Sequence, residues 1–197
     1  MQLLPKGSEA LKNAYEQAVE RIKGQKEGFR KLAKQILSWI TLATRPLSTS
    51  ELQHALCTKA GKPELDENFL PEVEIMISVC AGLVTVDHQS AIIRWVHYTT
   101  QEYFESIWAS WIPNAQVDIT TTCLTYLSFN AFALGHCLTD KEFKARLRSN
   151  ALYDYAARNW GRHAYTTSTE TEQSILSFLE NEAKVSCCSQ AMMASAK

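Results

Sequence analysis

The chain has 197 residues, 46% apolar and 21% charged, enough to fill the core of one ordinary domain or two small ones and unlike a disordered polymer. Twenty Lys and Arg against 21 Asp and Glu leave a net charge of -1, so no global field draws the chain to nucleic acid or anionic lipid. Seven Gly and five Pro exclude collagen-like and linker-like chains, and no run of about 18 apolar residues occurs that would predict a membrane span.

The opening Met1-Gln2-Leu3-Leu4-Pro5-Lys6 meets a charged segment at once, which is not the pattern of a secretory signal. Ser8 is placed to cap a first helix through Leu11, Tyr15, Val19 and Ile22, interrupted by Gly24 and Gly28. Phe29, Leu32, Ala33, Ile36, Leu37 and Ile40 then form one apolar stripe and predict a second helix, which stops near Arg45-Pro46. Ser48-Thr49-Ser50-Glu51 reads as a capping box for a short helix burying Leu52, Ala55 and Leu56. After the polar loop 59–63, Pro71 opens a helix with Val73, Met76, Ile77 and Cys80, and Gly82 is placed to close it with a positive φ.

The period then changes. Leu83-Val84-Thr85-Val86 and Ile92-Ile93-Arg94-Trp95-Val96, with His88-Gln89-Ser90-Ala91 between them, predict a two-stranded hairpin. Helix, tight turn, helix, loop, helix and hairpin follow one another in the order of a winged helix-turn-helix. Ile36, Leu37, Leu52, Leu56, Val73, Ile77, Val84 and Trp95 are its expected core.

Beyond the hairpin every pattern is helical. Thr99-Thr100-Gln101-Glu102 reads as a second capping box, with Glu102 assigned to capping, and Thr139-Asp140-Lys141-Glu142 as a third. Pro113 breaks the helix between them. Stripes through Ile119, Cys123, Leu124, Tyr126 and Leu127, through Leu152, Tyr155, Ala156, Trp160 and His163, and through Ile175, Leu176 and Leu179 complete a bundle. The expected class is mainly α: a winged helix-turn-helix with a small β-hairpin, followed by a helical bundle. The expected divisions are a helical lead-in over 1–28, a winged-helix domain over 29–110, a helical domain over 114–183 and a loose polar tail over 184–197.

Few motifs carry chemistry. The GK pair Gly61-Lys62 is followed by Pro63, with neither an upstream Gly nor a Ser or Thr, so this chain alone is not expected to bind or hydrolyse a nucleotide. HExxH, GxSxG and GxGxxG do not occur, and His97 and His163 have no local signature joining them to Cys80 or Asp154 in a triad. The cysteines at 57, 80, 123, 137, 187 and 188 form no CxxC pair and read as buried thiols, so no metal site and no cofactor is expected. A reading helix for DNA needs Arg, Lys, Asn or Gln toward the bases, but 71–80 carries Glu72 and Glu74 and no base. Lys23, Lys26, Arg30, Lys31 and Lys34 read as a solvated face. Trp108 and Trp111 beside Pro113 suit either a packing contact or a docking surface.

Several segments in order resemble the region that follows the NTPase in fungal NACHT–ankyrin proteins of the STAND type, a region labelled the GPI inositol-deacylase winged-helix domain. They are 32–40 and 51–56, then Val79-Cys80-Ala81-Gly82-Leu83-Val84, Val96-His97-Tyr98-Thr99-Thr100-Gln101-Glu102-Tyr103-Phe104, and 152–160. The opening Leu4-Pro5-Lys6-Gly7-Ser8 resembles the last helices of a NACHT module. The resemblance implies a non-catalytic regulatory and interaction module of a cytoplasmic signal-transduction NTPase. Its partners would be the NACHT core and the repeat domain of the parent protein, with self-association on activation and no nucleic-acid or membrane partner. His97 matches the family's strand-His-helix position, which implies contact with the β-phosphate of ADP bound to the core; in this chain alone its ring is expected to bond a neighbouring carbonyl or cap the junction. The competing readings are a winged-helix DNA-binding protein and a hydrolase.

Overall fold

The 3.6-residue stripes fold as helices and the β-branched runs as a hairpin. The computed structural model describes residues 6–87 and 89–194, apart from the side chains of 6–8, 168 and 170. In chain order the elements are α1 (Lys6–Lys23), α2 (Glu27–Leu42), α3 (Thr49–Cys57), α4 (Val73–Val79), β1 (Val84–Asp87), β2 (Ile92–Trp95) and α5 (Tyr98–Trp111). They continue with α6 (Ala115–Leu127), α7 (Asp140–Ser149), α8 (Tyr153–Tyr165), α9 (Ser168–Leu179) and α10 (Glu182–Met193), with one-turn 3-10 helices at Glu67–Phe69 and Asn130–Phe132. The protein is therefore mainly helical with one small antiparallel hairpin, in the order of a winged helix followed by further helices. Among the described residues no helix is long and apolar enough to cross a membrane. Contacts group α1, α2, α4, the hairpin and α5 into one compact unit, and Ser50–Leu70 with α6 through α10 into another.

In the first unit α2 supplies the centre. Ala33, Ile36 and Leu37 are fully buried and Trp39 nearly so, while Phe29 at the start of the stripe stays half exposed. α1 adds Ala18, Val19 and Ile22. Ser8 already lies within α1 and so does not cap it. The hairpin pairs Val84 with Trp95 and Val86 with Ile93, and Val84, Ile93 and Trp95 are buried. Arg94 faces out, 3.5 Å from the Asp87 carboxylate. The stretch before α3 joins the hairpin as a third, minimal strand. Ile93 N–H donates to the Leu47 carbonyl, Thr49 N–H donates to the Ala91 carbonyl, and Ser48 bridges Ile92.

The α4 face differs from the expected one. Met76, Val79 and Cys80 are buried, whereas Val73 and Ile77 are only half-buried. With seven residues, α4 is under two turns long. Two overlapping apolar stripes fit so short a segment, and the partners in the unit select the one rotated by a residue. Behind it the chain reverses through Gly82 at φ 82°, the left-handed residue expected at the helix end, and Ala81 before it is left-handed as well, at φ 53°. The α4 end is also tied to α1: Gln25 Nε2 donates to the Val79 carbonyl at 2.8 Å and Arg21 Nη2 to that of Ala81 at 3.3 Å.

In the second unit α6 and α8 form the most extensive helix pair. Ile119, Cys123, Tyr126 and Leu127 on α6 and Tyr153, Tyr155, Ala156 and Ala157 on α8 are all essentially buried. The Phe132 ring stacks on Tyr153 with centroids 4.7 Å apart. The segment Ser50–Leu70 is fastened to this body by His54 Nδ1 and the Tyr126 hydroxyl at 2.8 Å, and by Asn130 N–H donating to the Pro63 carbonyl. Thr139 and Glu142 form the predicted capping box at the start of α7. Where composition predicts a loose tail, α10 forms and buries Cys187, Cys188 and Ala191. The Tyr153 hydroxyl donates to the Cys187 carbonyl at 2.6 Å, and the Gln190 side chain bonds both the N–H and the carbonyl of Cys137.

Candidate functional site

His97 sits between the wing and α5. β2 ends at Trp95, Val96 N–H still donates to the Leu83 carbonyl, and His97 is extended at φ -139° and ψ 153°. It is the N-cap residue of α5, its side chain is exposed, and it makes no capping hydrogen bond. No acidic residue occupies the first turn of this 14-residue helix. Val96 and Tyr98 on either side are 40% and 75% exposed, so the imidazole stands on an accessible stretch of surface. An uncapped helix N-terminus presents N–H groups with partial positive charge, and an imidazole beside it adds one more donor, a pairing suited to an anion.

The predicted Thr99–Glu102 capping box does not form. α5 begins one residue before Thr99, so Glu102 is the fifth helical residue, outside the capping position, and exposed. The Thr99 hydroxyl instead meets the Tyr15 hydroxyl of α1 at 2.7 Å, and the Tyr15 and Tyr103 rings lie 5.3 Å apart. These contacts fix the start of α5 to α1 and thereby set the position of His97. Nothing in the local sequence joins Tyr15 to Thr99, which lie 84 residues apart.

The other residues singled out by type have structural partners. His163 is 2% exposed; its Nε2 lies 2.8 Å from the Tyr155 hydroxyl and its Nδ1 2.9 Å from Gln116 Oε1. Because Oε1 only accepts, the ring carries its proton on Nδ1 and Nε2 accepts from Tyr155. Burial, with Arg162 nearby, lowers its pKa to about 4. Asp154 receives the Arg158 guanidinium at 2.7 Å, and burial pushes the Cys80 thiol up to about 12, far from a nucleophilic thiolate. Cys187 accepts from Arg146 Nη1 at 3.0 Å, yet burial still raises its pKa. No group of three or more potential metal ligands occurs among the described residues.

The basic cluster is partly engaged at the surface of the first unit. Lys23 pairs with Glu20, Arg30 donates to the Lys23 carbonyl, and Lys34 lies over the Trp111 ring at 5.8 Å. Trp111 also packs on Phe104, with centroids 5.4 Å apart. On α4 the exposed charges are Glu74 and, just before it, Glu72.

Fold order, the third minimal strand and the hairpin define a winged helix domain. Residues 20–107, a span that includes the hairpin and His97, match the family described as GPI inositol-deacylase, winged helix domain. No curated protein and no solved structure matches the chain.

Proposed function

We propose that the chain is a non-catalytic regulatory and interaction module of a NACHT-type signal-transduction NTPase, linking its nucleotide-binding core to downstream repeats. The observation that carries this reading is the uncapped start of α5 with His97 exposed at the exit of the wing. There an imidazole and helix N–H groups together suit the β-phosphate of ADP held by a neighbouring core. The resemblance at 96–104 supplies the same role for His97 alone, and this chain binds no nucleotide by itself. Glu74 on α4 and Glu72 just before it disfavour a phosphate backbone, which weighs against a DNA reader. The high pKa of the buried Cys80 thiol weighs against a cysteine hydrolase. Exposed Leu134 and Leu138, 94% and 85% accessible, suit the apolar contact that adjoining repeats would make. The setting is cytoplasmic, with self-association following release of the closed state.

The test is a titration of this chain against its nucleotide-binding core loaded with ADP or with an ATP analogue. Association is expected to be at least about tenfold tighter in the ADP state, a difference of about 1.4 kcal/mol. Equal affinity in both states would overturn the reading, as would specific DNA binding with a steep salt dependence in a filter assay.

A further inference from the structure

The second unit contains a cleft of about 620 Å³ between α6, α9, the start of α10 and the loop at Gly61-Lys62-Pro63. Sites for small molecules commonly fall between about 300 and 1,000 Å³. A helix face turned toward its neighbours in a bundle is ordinarily apolar. Here α6 and the residue that ends it line the cleft with Thr121, Thr125 and Ser128, at spacings of four and three, and α9 lines it with Gln173, Ser174 and Ser177. Leu124 and Phe178, each 3% exposed, give it an apolar floor, with Pro63 at the loop.

Among the described lining residues the charge has one sign. Lys62 comes from the loop and Lys184 from the first turn of α10, and among the described lining residues there is no carboxylate. Both lysines are carried on anchored backbone. The Pro63 carbonyl accepts from Asn130 N–H at 2.8 Å after a turn at Gly61 with φ 78°, and Lys184 N–H donates to the Asn181 side chain at 3.1 Å. Two ammonium groups without a lining acid suit a dianion, and hydroxyl and amide walls suit a ligand rich in hydroxyl groups. Among the described lining residues the one aromatic, Phe178, is buried, and none offers an exposed ring for a base to stack on.

We propose that this cleft binds a small phosphorylated polyol, of the size and chemistry of a sugar monophosphate, with Lys62 and Lys184 on the phosphate and the α6 and α9 side chains on the hydroxyl groups. Such a phosphate is largely dianionic at pH 7, since its second pKa is about 6. The site lies in the second unit and stands independently of the role proposed for His97.

Calorimetric titration of the full chain with glucose 6-phosphate tests the assignment, with glucose, AMP and sulfate as separate arms. Saturable binding of glucose 6-phosphate is expected, with glucose, AMP and sulfate each at least about tenfold weaker. Lys62→Ala and Lys184→Ala should each weaken it about fivefold, with the circular dichroism spectrum unchanged. No saturation by roughly 10 mM, sulfate or AMP binding as tightly as the sugar phosphate, or an unchanged affinity in the Lys62→Ala/Lys184→Ala double variant would each overturn the proposal.

Discussion

Trp95→Ala should destabilise the first unit by about 3–5 kcal/mol, the range for removing a large aromatic side chain from a core. Trp95 is 7% exposed and stacks on Phe104 with centroids 4.7 Å apart and planes 19° from parallel. It stands opposite Val84 in the hairpin and so joins the wing to the first turns of α5. The expected loss lies toward the lower end because the indole Nε1 is buried with no hydrogen-bond partner among the described residues, so truncation also removes an unsatisfied donor. Trp95→Phe keeps the ring stack, removes that donor and should cost much less than alanine. Urea unfolding with an unchanged slope should show the midpoint drop for the alanine variant. A loss below about 1 kcal/mol would show that the ring contributes little to the core.

Acidification should unfold the second unit partly through His163. In the folded chain its pKa is about 4, against 6.5 ordinarily. Burial is the larger cause and Arg162 the smaller. Above pH 6.5 neither state protonates the ring and its contribution is fully present. Between 6.5 and 4 the unfolded chain takes up a proton that the folded chain does not, so stability falls as pH falls. Over that window, at 1.36 kcal/mol for each pH unit, the loss from this ring amounts to about 3 kcal/mol. His163→Gln cannot titrate and should flatten the stability profile between pH 6.5 and 4 relative to the unaltered chain. Its absolute stability should also fall, because Gln cannot reproduce both the Tyr155 and the Gln116 contacts. Parallel profiles for the two proteins would show that the ring is protonated without penalty.

Where a pattern is closed within a few residues, the sequence reads directly into the structure. The α2 stripe, the alternation in the hairpin, the Thr139–Glu142 box and the left-handed Gly82 each depend on neighbours at most four residues away or on one backbone angle. Misreadings arise where a distant partner decides. Thr99 has a capping-box pattern, yet its hydroxyl is held by Tyr15 of α1 and the helix starts before it. The buried face of α4 is chosen by its partners, because a seven-residue helix supports either stripe. The segment after 184 looks polar, but Cys187, Cys188 and Ala191 lie at spacings of one and three and form a narrow apolar stripe that small residues disguise. For the candidate site, the position of His97 between strand and helix was legible from the change of period. That its imidazole stays exposed and out of the cap was not, because this depends on the exact residue at which α5 begins. The sugar-phosphate cleft left no trace in sequence order, since its walls come from four separate stretches of chain.

The account rests most directly on the role of His97 toward bound nucleotide. The decisive measurement, on the proposed NACHT-type parent protein, is the dissociation rate of fluorescent ADP, compared between the unaltered protein and His97→Ala. A contact made only in the closed state should hold ADP, so its loss should speed release by about tenfold and raise spontaneous oligomerisation. An unchanged dissociation rate together with an unchanged oligomeric state would contradict the account.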